Sequence, residues 1–333
     1  MSLFTGSPAE AARRRFRGRL LRWYGRHRRG LPWRNTRDPY RIWVSEIMLQ
    51  QTRVAAVLSH YRGFLRRFPG LKTLAAARES SVLAAWSGLG YYARARSLHA
   101  AAKQIVRARR GRFPRTVEEL RALPGIGRYT AAAISSIAFG RPEAVVDGNV
   151  ARVLRRLSGA RASERQLWKQ ADLLLSSQRP GDFNQAMMEL GATVCLPGTP
   201  RCDCCPVFAW CRTRGATRRE AALPRSRKKQ VVFSLTARKD AVLLTQRAPG
   251  AALMPRMWEL PPADPSNGSL RRRPKVLLRL RHSITDTDYR VTVLRGGART
   301  GQAKGRWVRL SRLPRMPLTG LARKILRRSN LLA

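Results

Sequence analysis

The chain has 333 residues and carries 67 Lys and Arg against 19 Asp and Glu, which gives a formal net charge of +48. Such a charge favours a polyanionic partner and predicts binding that weakens steeply with salt. It supports nucleic acid as that partner without identifying it, because a GC-rich genome also enriches Arg and Ala. No segment reaches the roughly 18 uninterrupted apolar residues of a membrane span, so we expect no membrane association.

Two sequence patterns meet near residue 220. Before it, apolar residues recur every three or four positions, which predicts helices. After it, short β-branched runs predict strands. These runs are 231–233, 242–244 and 289–294. The basic, proline-marked stretch 217–229 between the two patterns reads as a linker. We therefore predict a mostly helical domain at 1–216 and a small α+β domain at 230–333.

One predicted helix carries a carboxylate close to an apolar face. Asp38 can cap this helix, and Pro39 suits its first turn. Glu46 lies at the edge of the apolar stripe. The residues of that stripe are Trp43, Ile47, Val54 and Leu58. Because an apolar environment disfavours the ionised form, the pKa of Glu46 should rise and make it a candidate general acid. Periodicity alone favours the alternative, a surface glutamate.

A second carboxylate is predicted to start a helix. The apolar pattern after Asp147 becomes helical, with Val150, Val153, Leu154 and Leu157 facing inward. Asp147 then stands as the N-cap, where free N–H donors and the helix dipole should keep it ionised. A plain structural cap is the alternative. A neutral Glu46 with an anionic Asp147 could cleave a glycosidic bond, the acid protonating the leaving group and the anion stabilising an oxocarbenium-like centre.

A glycine-containing turn lies between the two carboxylates, at 123–130. Gly125 and Gly127 allow a tight turn, and the run 130–138 after it predicts a helix. The turn and the helix N-terminus would present backbone N–H groups that can hold one phosphate. The same pattern also occurs in ordinary turns between helices, so its weight comes from the basic chain and from Asp147 nearby.

Four cysteines fall within 17 residues in the pattern C-x6-C-x2-C-x5-C. They are Cys195, Cys202, Cys205 and Cys211. A chain of this length buries a core without disulfides, so the thiols indicate one centre of zinc or of iron and sulfur. Zinc ribbons usually offer two separated C-x2-C pairs, and only one is present here, which favours iron and sulfur. Cys204 is left over, and its exchange with Cys205 as a ligand stays open. Reduced cysteines and an N-terminus without the apolar centre of an export signal predict a cytoplasmic protein.

These features together resemble the helix-hairpin-helix DNA glycosylases that carry an iron–sulfur cluster, and most closely the MutY-type adenine glycosylases. The similar stretches are 31–34, 43–52, 88–94, 123–130, 146–150 and the four-cysteine loop, in the family's order. They cover nearly all of 16–212. The resemblance implies a six-helix barrel module at about 33–140, and a cluster module formed by the N-terminal helix with 141–216 around one 4Fe-4S cluster.

The resemblance also implies a role for individual residues. Glu46 matches the acid that protonates adenine at N7, and Asp147 matches the carboxylate that stabilises the deoxyribose cation, with support from Tyr129 and Asn149. The residues that match the DNA and base contacts are Leu31, Trp33 and Glu189 around the extruded adenine, Gln51, Thr52, Leu89 and Tyr91 in the duplex, and, in addition, Arg34 and the hairpin glycines Gly125 and Gly127. Extrusion is required, because the reactive bond of a stacked base is not accessible.

Tyr129 separates subfamilies. Related glycosylases of the endonuclease III type place a lysine there, which forms a Schiff base and leads to strand cleavage. A phenol cannot, so we expect a monofunctional enzyme that leaves an abasic site. Thymine glycosylases acting on T·G mismatches share this pattern and are the enzyme alternative. A non-catalytic iron–sulfur DNA-binding protein is the alternative outside enzymes.

The C-terminal stretch resembles the Nudix-fold module of MutY proteins, through 242–247 and 257–261. It lacks the glutamate-rich box of Nudix hydrolases, since 268–333 contains no Glu. In the family this module recognises 8-oxoguanine through a Phe-Ser-His loop, and the comparable stretch here, 281–286, departs from that pattern. Thr285 could still donate a hydrogen bond. The expected partner is duplex DNA with A·8-oxoguanine or A·G mispairs, bound by a monomer associated with a bacterial nucleoid.

Overall fold

The computed structural model describes residues 3–4, 9–216, 227–263, 275–284, 286–296 and 305–332. Within these ranges the chain is mainly helical, with short strands confined to its C-terminal part, as the sequence predicts. The helices are α1 (Ala9–His27), α2 (Pro39–Leu49), α3 (Val54–Arg67), α4 (Leu71–Ala76), α5 (Glu79–Trp86), α6 (Tyr92–Arg109), α7 (Val117–Arg121), α8 (Arg128–Phe139), α9 (Gly148–Ser158), α10 (Glu164–Leu174) and α11 (Pro180–Thr193). The remaining elements are β1 (Arg227–Leu235), β2 (Ala241–Gln246), β3 (Trp258–Glu259), β4 (Val276–Ile284), β5 (Thr287–Arg295), β6 (Arg306–Arg309) and α12 (Gly320–Arg328). None of the helices in the described part is long and apolar enough to cross a membrane.

The described residues divide into two compact units. The helical unit takes those within Met1–Ala75 and Ala100–Ala221, and the mixed unit takes those within Ala76–His99 and Ala222–Ala333. The sequence predicts two domains that follow one another along the chain. In the structure, α5 and the first part of α6 belong to the unit that contains the C-terminal strands. Strand β1 begins at Arg227, so the last three residues of the predicted linker, 227–229, belong to a strand; 217–226 lie outside the described residues.

The helical unit is built around α11, which packs against α1, α8 and α9. Two glycines let α11 approach its neighbours closely. A Cβ on Gly181 would lie 2.7 Å from the carbonyl oxygen of Ser136 in α8, and a Cβ on Gly191 would lie 2.7 Å from the Cβ of Asn149 in α9. Only glycine fits at these two contacts. They set the distance between α11 and the helices α8 and α9 that carry Tyr129 and Asn149.

Helix α2 begins as the sequence predicts and ends earlier. The carboxylate of Asp38 accepts hydrogen bonds from the N–H groups of Tyr40 and Arg41, and Pro39 is the first helical residue. The prediction of one apolar stripe that continues to Leu58 is wrong, because α2 stops at Leu49 and α3 starts at Val54. Gln51, in the break between them, has a left-handed backbone with φ of 53°. The pattern repeats at helical spacing across the break, so periodicity did not reveal the turn.

The mixed unit contains two three-stranded sheets. In the first, β5 lies between β1, which runs parallel to it, and β4, which runs antiparallel. In the second, β2 lies between β3 and β6, both antiparallel to it. Val242 and Val293, one from each sheet, are fully buried in one core with Leu326 of α12. Burial of this kind supplies most of the stabilisation of so small a module.

Candidate active site

Glu46 lies on the face of α2 that contacts α8, and only 6% of it is exposed. The Tyr129 hydroxyl donates a hydrogen bond of 2.8 Å to its Oε2, and the same hydroxyl lies 3.2 Å from the Sδ of Met188. Burial raises the pKa of Glu46 to about 7, although the hydrogen bond from Tyr129 opposes the rise; the nearby charge of Asp147 adds to it. This carboxyl therefore holds a proton at a pH where ordinary glutamates have lost theirs, and the surface alternative does not describe it.

Asp147 caps α9 as the sequence predicts. Its Oδ1 accepts a hydrogen bond of 2.7 Å from the N–H of Val150, and its Oδ2 accepts one of 3.0 Å from the side-chain amide of Asn149. Burial raises the pKa of Asp147 above its ordinary value, while the hydrogen bonds from Val150 and Asn149 lower it. These hydrogen bonds thus offset only part of the rise in pKa that burial causes. The sequence predicts a stronger stabilisation of the ionised form of Asp147. The expected inward-facing residues of α9 are all buried: Val150, Val153, Leu154 and Leu157.

The carboxyl groups of Glu46 and Asp147 lie close enough to interact electrostatically. Asp147 raises the pKa of Glu46 and also contributes to raising that of Tyr129, which burial raises most. Tyr129 contacts Glu46 directly, and Asn149 contacts Asp147 directly. The structure therefore brings together the four residues that the sequence assigns to the chemistry.

Arg152 extends this network toward the cysteine loop and was not among the predicted residues. Its guanidinium donates to the Oδ1 of Asn149 at 2.8 Å, to the carbonyl of Gly191 at 2.7 Å and to the carbonyl of Cys195 at 2.8 Å. The position of Arg152 three residues after Asn149 on one helix face is a signal that could have found the first of these contacts. The contacts to Gly191 and Cys195 are set by tertiary packing alone.

Glu189 and Arg34, two of the residues predicted to bind the base or DNA, form an ion pair that Arg29 joins from a more exposed position. Glu189 is fully buried, and its Oε2 accepts hydrogen bonds of 2.6 Å from both Arg29 and Arg34. Although burial alone would raise the pKa of Glu189, the hydrogen bonds from Arg34 and Arg29 lower it to about 2, so this carboxylate stays ionised. Arg29 was missed by the sequence analysis, and no motif or spacing marks it. Trp33 and Leu31, each 6% exposed, lie in the same segment of the chain.

The predicted DNA contacts fall in both units. In the helical unit, Gln51 is exposed, Thr52 is half-buried, and the hairpin places Gly125 at a φ of 76°. In the mixed unit, Leu89 is 5% exposed and Tyr91 is 41% exposed, with a φ of 49°. Thr285 lies outside the described residues.

Gly127 is the N-cap of α8 and has an ordinary φ of −86°, with open space where a Cβ would stand. Among the described residues, no atom comes close enough to require glycine there. The first N–H groups of an α-helix lack acceptors within the helix, and Gly127 has no side chain to cap them. The first turn of α8 therefore lacks a side-chain cap from its N-cap residue.

The predicted cluster ligands lie in the loop after α11. Arg156 in α9 donates to the Sγ of Cys195 at 3.2 Å, and its carbonyl lies 3.4 Å from the Sγ of Cys211. Cys202 and Cys205 interact electrostatically with both of these cysteines. The four thiols thus share one region on the α9 side of the loop.

Cys204 is oriented differently. It is exposed, and its thiol contacts the carbonyl of Arg201 at 3.5 Å. Among the residues that the structure describes, no group of three or more Cys, His, Asp or Glu side chains converges closely enough to hold a single metal ion.

Comparison with known proteins places these features in a family. Residues 44–174 match the model of the HhH-GPD superfamily base excision DNA repair proteins. The chain is 49% identical over 223 residues to the adenine DNA glycosylase of Homo sapiens. The aligned region covers 62% of this chain and 41% of the human protein. It is 40% identical over 199 residues to the adenine DNA glycosylase of Buchnera aphidicola subsp. Baizongia pistaciae, covering 58% of this chain and 57% of that protein. The match thus spans roughly half the length of these relatives.

The fold is also similar to solved structures of other proteins. A thermostable thymine-DNA glycosylase superposes with a TM-score of 0.59 at 30% identity, over 63% of this chain and all of that one. A non-covalent endonuclease III–DNA complex superposes with a TM-score of 0.53 at 23% identity, over 61% of this chain and 96% of that one, which supports the fold alone. The chain contains, at residues 44–174, a domain of the HhH-GPD superfamily of base excision DNA repair proteins.

Proposed function

We propose that this protein is a monofunctional DNA glycosylase that removes adenine mispaired with 8-oxoguanine or guanine. The observation that carries the proposal is the buried Glu46, which accepts a hydrogen bond from Tyr129 and is electrostatically coupled to Asp147. A proton donor poised near neutral pH beside a second carboxylate suits cleavage of an N-glycosidic bond. Identity of 40–49% to adenine DNA glycosylases from two organisms supports adenine as the base.

In this mechanism the extruded adenine receives the proton of Glu46 at N7 while the bond from C1′ to the base breaks. The bonding electron pair leaves with the base, and the positive charge that develops on the sugar is stabilised by the carboxylate of Asp147. Water then adds at C1′ and gives its proton to a carboxylate, which leaves an abasic site. Tyr129 orients Glu46, and Asn149 orients Asp147.

Tyr129 supports base removal without strand cleavage. A phenol whose pKa is raised by burial well above its ordinary value is not a nucleophile that forms a Schiff base with the sugar. We therefore expect free adenine and an intact abasic strand as products.

Duplex DNA is the proposed partner. The net charge of +48 supplies the electrostatic attraction. The N-terminus of α8, where Gly127 provides no side-chain cap and the preceding Gly125 has a left-handed φ, suits one backbone phosphate. We expect a monomer to bind the duplex, as one chain carries every residue that the mechanism uses.

One 4Fe-4S cluster is the proposed cofactor, held by Cys195, Cys202, Cys205 and Cys211. The donor chemistry fits, because thiolates are the ligands of such clusters and each binds a different iron, so they need not converge on one point. Cys204 contacts the carbonyl of Arg201 and is exposed, which leaves it outside the set. When bound, the cluster would order the loop that Arg152 and Arg156 join to α9.

The test is base release from labelled duplexes with A·8-oxoguanine, A·G or T·G mispairs. Release of adenine from the first two without strand cleavage supports the proposal. Release of thymine alone would favour the alternative that the similarity to a thymine-DNA glycosylase raises. Tight binding to mispairs with no base released would point to a non-catalytic DNA-binding protein.

A further inference from the structure

We infer that one backbone carbonyl near the C-terminus, that of Leu318, closes the base of the loop between α5 and α6 and so fixes where Leu89 and Tyr91 stand. The inference rests on the proposed function, because Leu89 and Tyr91 can enter DNA only if the protein binds duplex DNA as proposed. Residues 76–99 and the C-terminal segment belong to the same compact unit.

The loop itself, 87–91, has a backbone that needs external support. Gly88 and Gly90 have φ values of 109° and 71°, and Tyr91, which is not a glycine, has a φ of 49°. A non-glycine residue in the left-handed region persists where its surroundings hold it. Tyr91 is also 41% exposed, so an aromatic ring is presented at a strained position.

Contacts within the α5–α6 segment hold the tip of the loop. The indole N–H of Trp86 donates to the carbonyl of Gly90 at 3.2 Å. The guanidinium of Arg94 donates to the carbonyls of Leu89 and Gly90, and it stacks 5.2 Å from the centre of the Tyr91 ring. These contacts shape the tip, but they do not fix the two ends of the loop.

The two ends meet at Leu318. Ser87, the first residue of the loop, donates a hydrogen bond of 2.8 Å to the carbonyl oxygen of Leu318, and Tyr92, the residue after it, donates one of 3.1 Å to the same oxygen. All three residues are at most 5% exposed. A carbonyl oxygen has two lone pairs, so a single acceptor can bind both donors. The hydroxyls of Ser87 and Tyr92 and the carbonyl of Leu318 are called the loop clamp below.

The carbonyl is held in place on its own side. The backbone N–H of Trp258 in β3 donates a hydrogen bond to the carbonyl of Pro317, and the carbonyl of Trp258 accepts one from the N–H of Thr319. These two bonds hold the residues on either side of Leu318. Thr319 caps α12 through its side chain. Arg323, in the first part of α12, donates a hydrogen bond of 2.9 Å to the Ser87 hydroxyl.

The position of the loop therefore depends on β3 and α12, which follow it by more than 150 residues in the sequence. Ser87 and Tyr92 are positioning residues, since neither is assigned a contact with the reacting base. Weakening the loop clamp should slow entry of the loop into the duplex while the proton transfer from Glu46 is unchanged.

The test compares Tyr92→Phe and the double variant Ser87→Ala/Tyr92→Phe with Tyr40→Phe in the full-length protein. Tyr40 is a matched control, because its buried hydroxyl also donates to a backbone carbonyl, that of Phe68, at 2.7 Å. Tyr92→Phe keeps the contact between Ser87 and Arg323, so it tests the clamp even where the double variant folds poorly.

The first measurement is hydrogen exchange of the amides of 86–92 in the absence of DNA. We expect exchange about tenfold faster in the double variant, a smaller increase in Tyr92→Phe and no change in Tyr40→Phe. The second is the fluorescence of 2-aminopurine placed next to the A·8-oxoguanine mispair, which rises when the base unstacks. We expect this rise, and single-turnover adenine release, to be about tenfold slower in the double variant.

Unchanged exchange in both clamp variants would overturn the inference whatever their activity. Faster exchange with fluorescence and base release equal to those of Tyr40→Phe would overturn the link to duplex entry. Faster exchange in a protein whose wild-type form releases no base would support the clamp and overturn the proposed function instead.

Discussion

The hydroxyl of Tyr129 lies 2.8 Å from the Oε2 of Glu46 and donates a hydrogen bond to it, joining residues that are 83 positions apart in the sequence. This contact positions Glu46, the proton donor of the proposed reaction. It lowers the pKa of Glu46 against the larger effect of burial, and the balance places that pKa at about 7. The hydroxyl of this tyrosine, unlike the amine of a lysine, cannot form a Schiff base with the sugar.

Removal of this hydrogen bond should shift the pH dependence of the reaction. Wild-type single-turnover rates should fall about tenfold per pH unit above about pH 7, as Glu46 loses its proton. Tyr129→Phe removes a contact that lowers the pKa of Glu46, so its alkaline limb should move to higher pH. Tyr40→Phe serves as the control with the wild-type profile. An alkaline limb that stays in place in Tyr129→Phe would contradict the role of this hydrogen bond.

Burial of Glu46 should also make stability depend on pH. Its ordinary pKa is 4.5 and its folded pKa is about 7. Below pH 4.5 both states are protonated, and the contribution of Glu46 to stability is fully present. As pH rises toward 7 the unfolded chain loses its proton first, so up to about 3 kcal/mol of stability is lost, after which the difference stays constant.

Glu46→Gln does not titrate. We expect its free energy of unfolding, relative to wild type, to increase by up to about 3 kcal/mol between about pH 4 and about pH 8. Denaturant unfolding of both proteins measures this difference. A difference that does not change with pH would mean that folding leaves the pKa of Glu46 unshifted.

Gly191→Ala tests how tightly the packing of α11 fixes the acid–anion pair. The added Cβ would lie 2.7 Å from the Cβ of Asn149 and 2.9 Å from its carbonyl oxygen. Because Asn149 holds the carboxylate of Asp147, we expect excision to fall about a hundredfold and stability by about 1–3 kcal/mol.

Gly63→Ala in α3 is the matched control, as its Cβ would meet only the end of the Arg66 side chain, at 3.9 Å. A helix-interior Gly→Ala change without a clash should stabilise the protein by about 1 kcal/mol and leave excision unchanged. Excision in Gly191→Ala equal to that in Gly63→Ala would show that Asn149 tolerates displacement.

The two adjacent cysteines should differ in their effect on the cofactor. Cys205→Ser should abolish the broad absorbance at about 400 nm and the bound iron, because it removes a proposed ligand. Cys204→Ser should retain both, since Cys204 is exposed and contacts the carbonyl of Arg201. Absorbance spectra and iron analysis of the purified variants measure this. The reverse result would exchange the two residues as ligands, and colourless wild-type protein that carries zinc would refute an iron centre.

Local chemistry accounts for what the sequence predicted well. Asp38 and Asp147 are caps whose partners lie within three residues, and the helix after the glycine turn begins at Arg128. The strands at Val231, Val242 and Tyr289 follow their β-branched runs. Each of these features depends on neighbours in the sequence, where capping and periodicity act.

Other features could not be predicted because they depend on residues far apart. Periodicity favoured a surface position for Glu46, and only the packing of α2 on α8 buries it. Arg29 reaches Glu189 across 160 positions. The break at Gln51 interrupts a stripe that continues in phase on the next helix, so the two helices resemble one.

The central claim is that Glu46 supplies the proton that allows the base to leave. The most direct measurement is single-turnover release of labelled adenine from an A·8-oxoguanine duplex by wild type and by Glu46→Gln, with duplex affinity measured in parallel. We expect adenine release by wild type, none detectable from Glu46→Gln, and equal affinity of the two proteins for the duplex. Release at the wild-type rate by Glu46→Gln would contradict it.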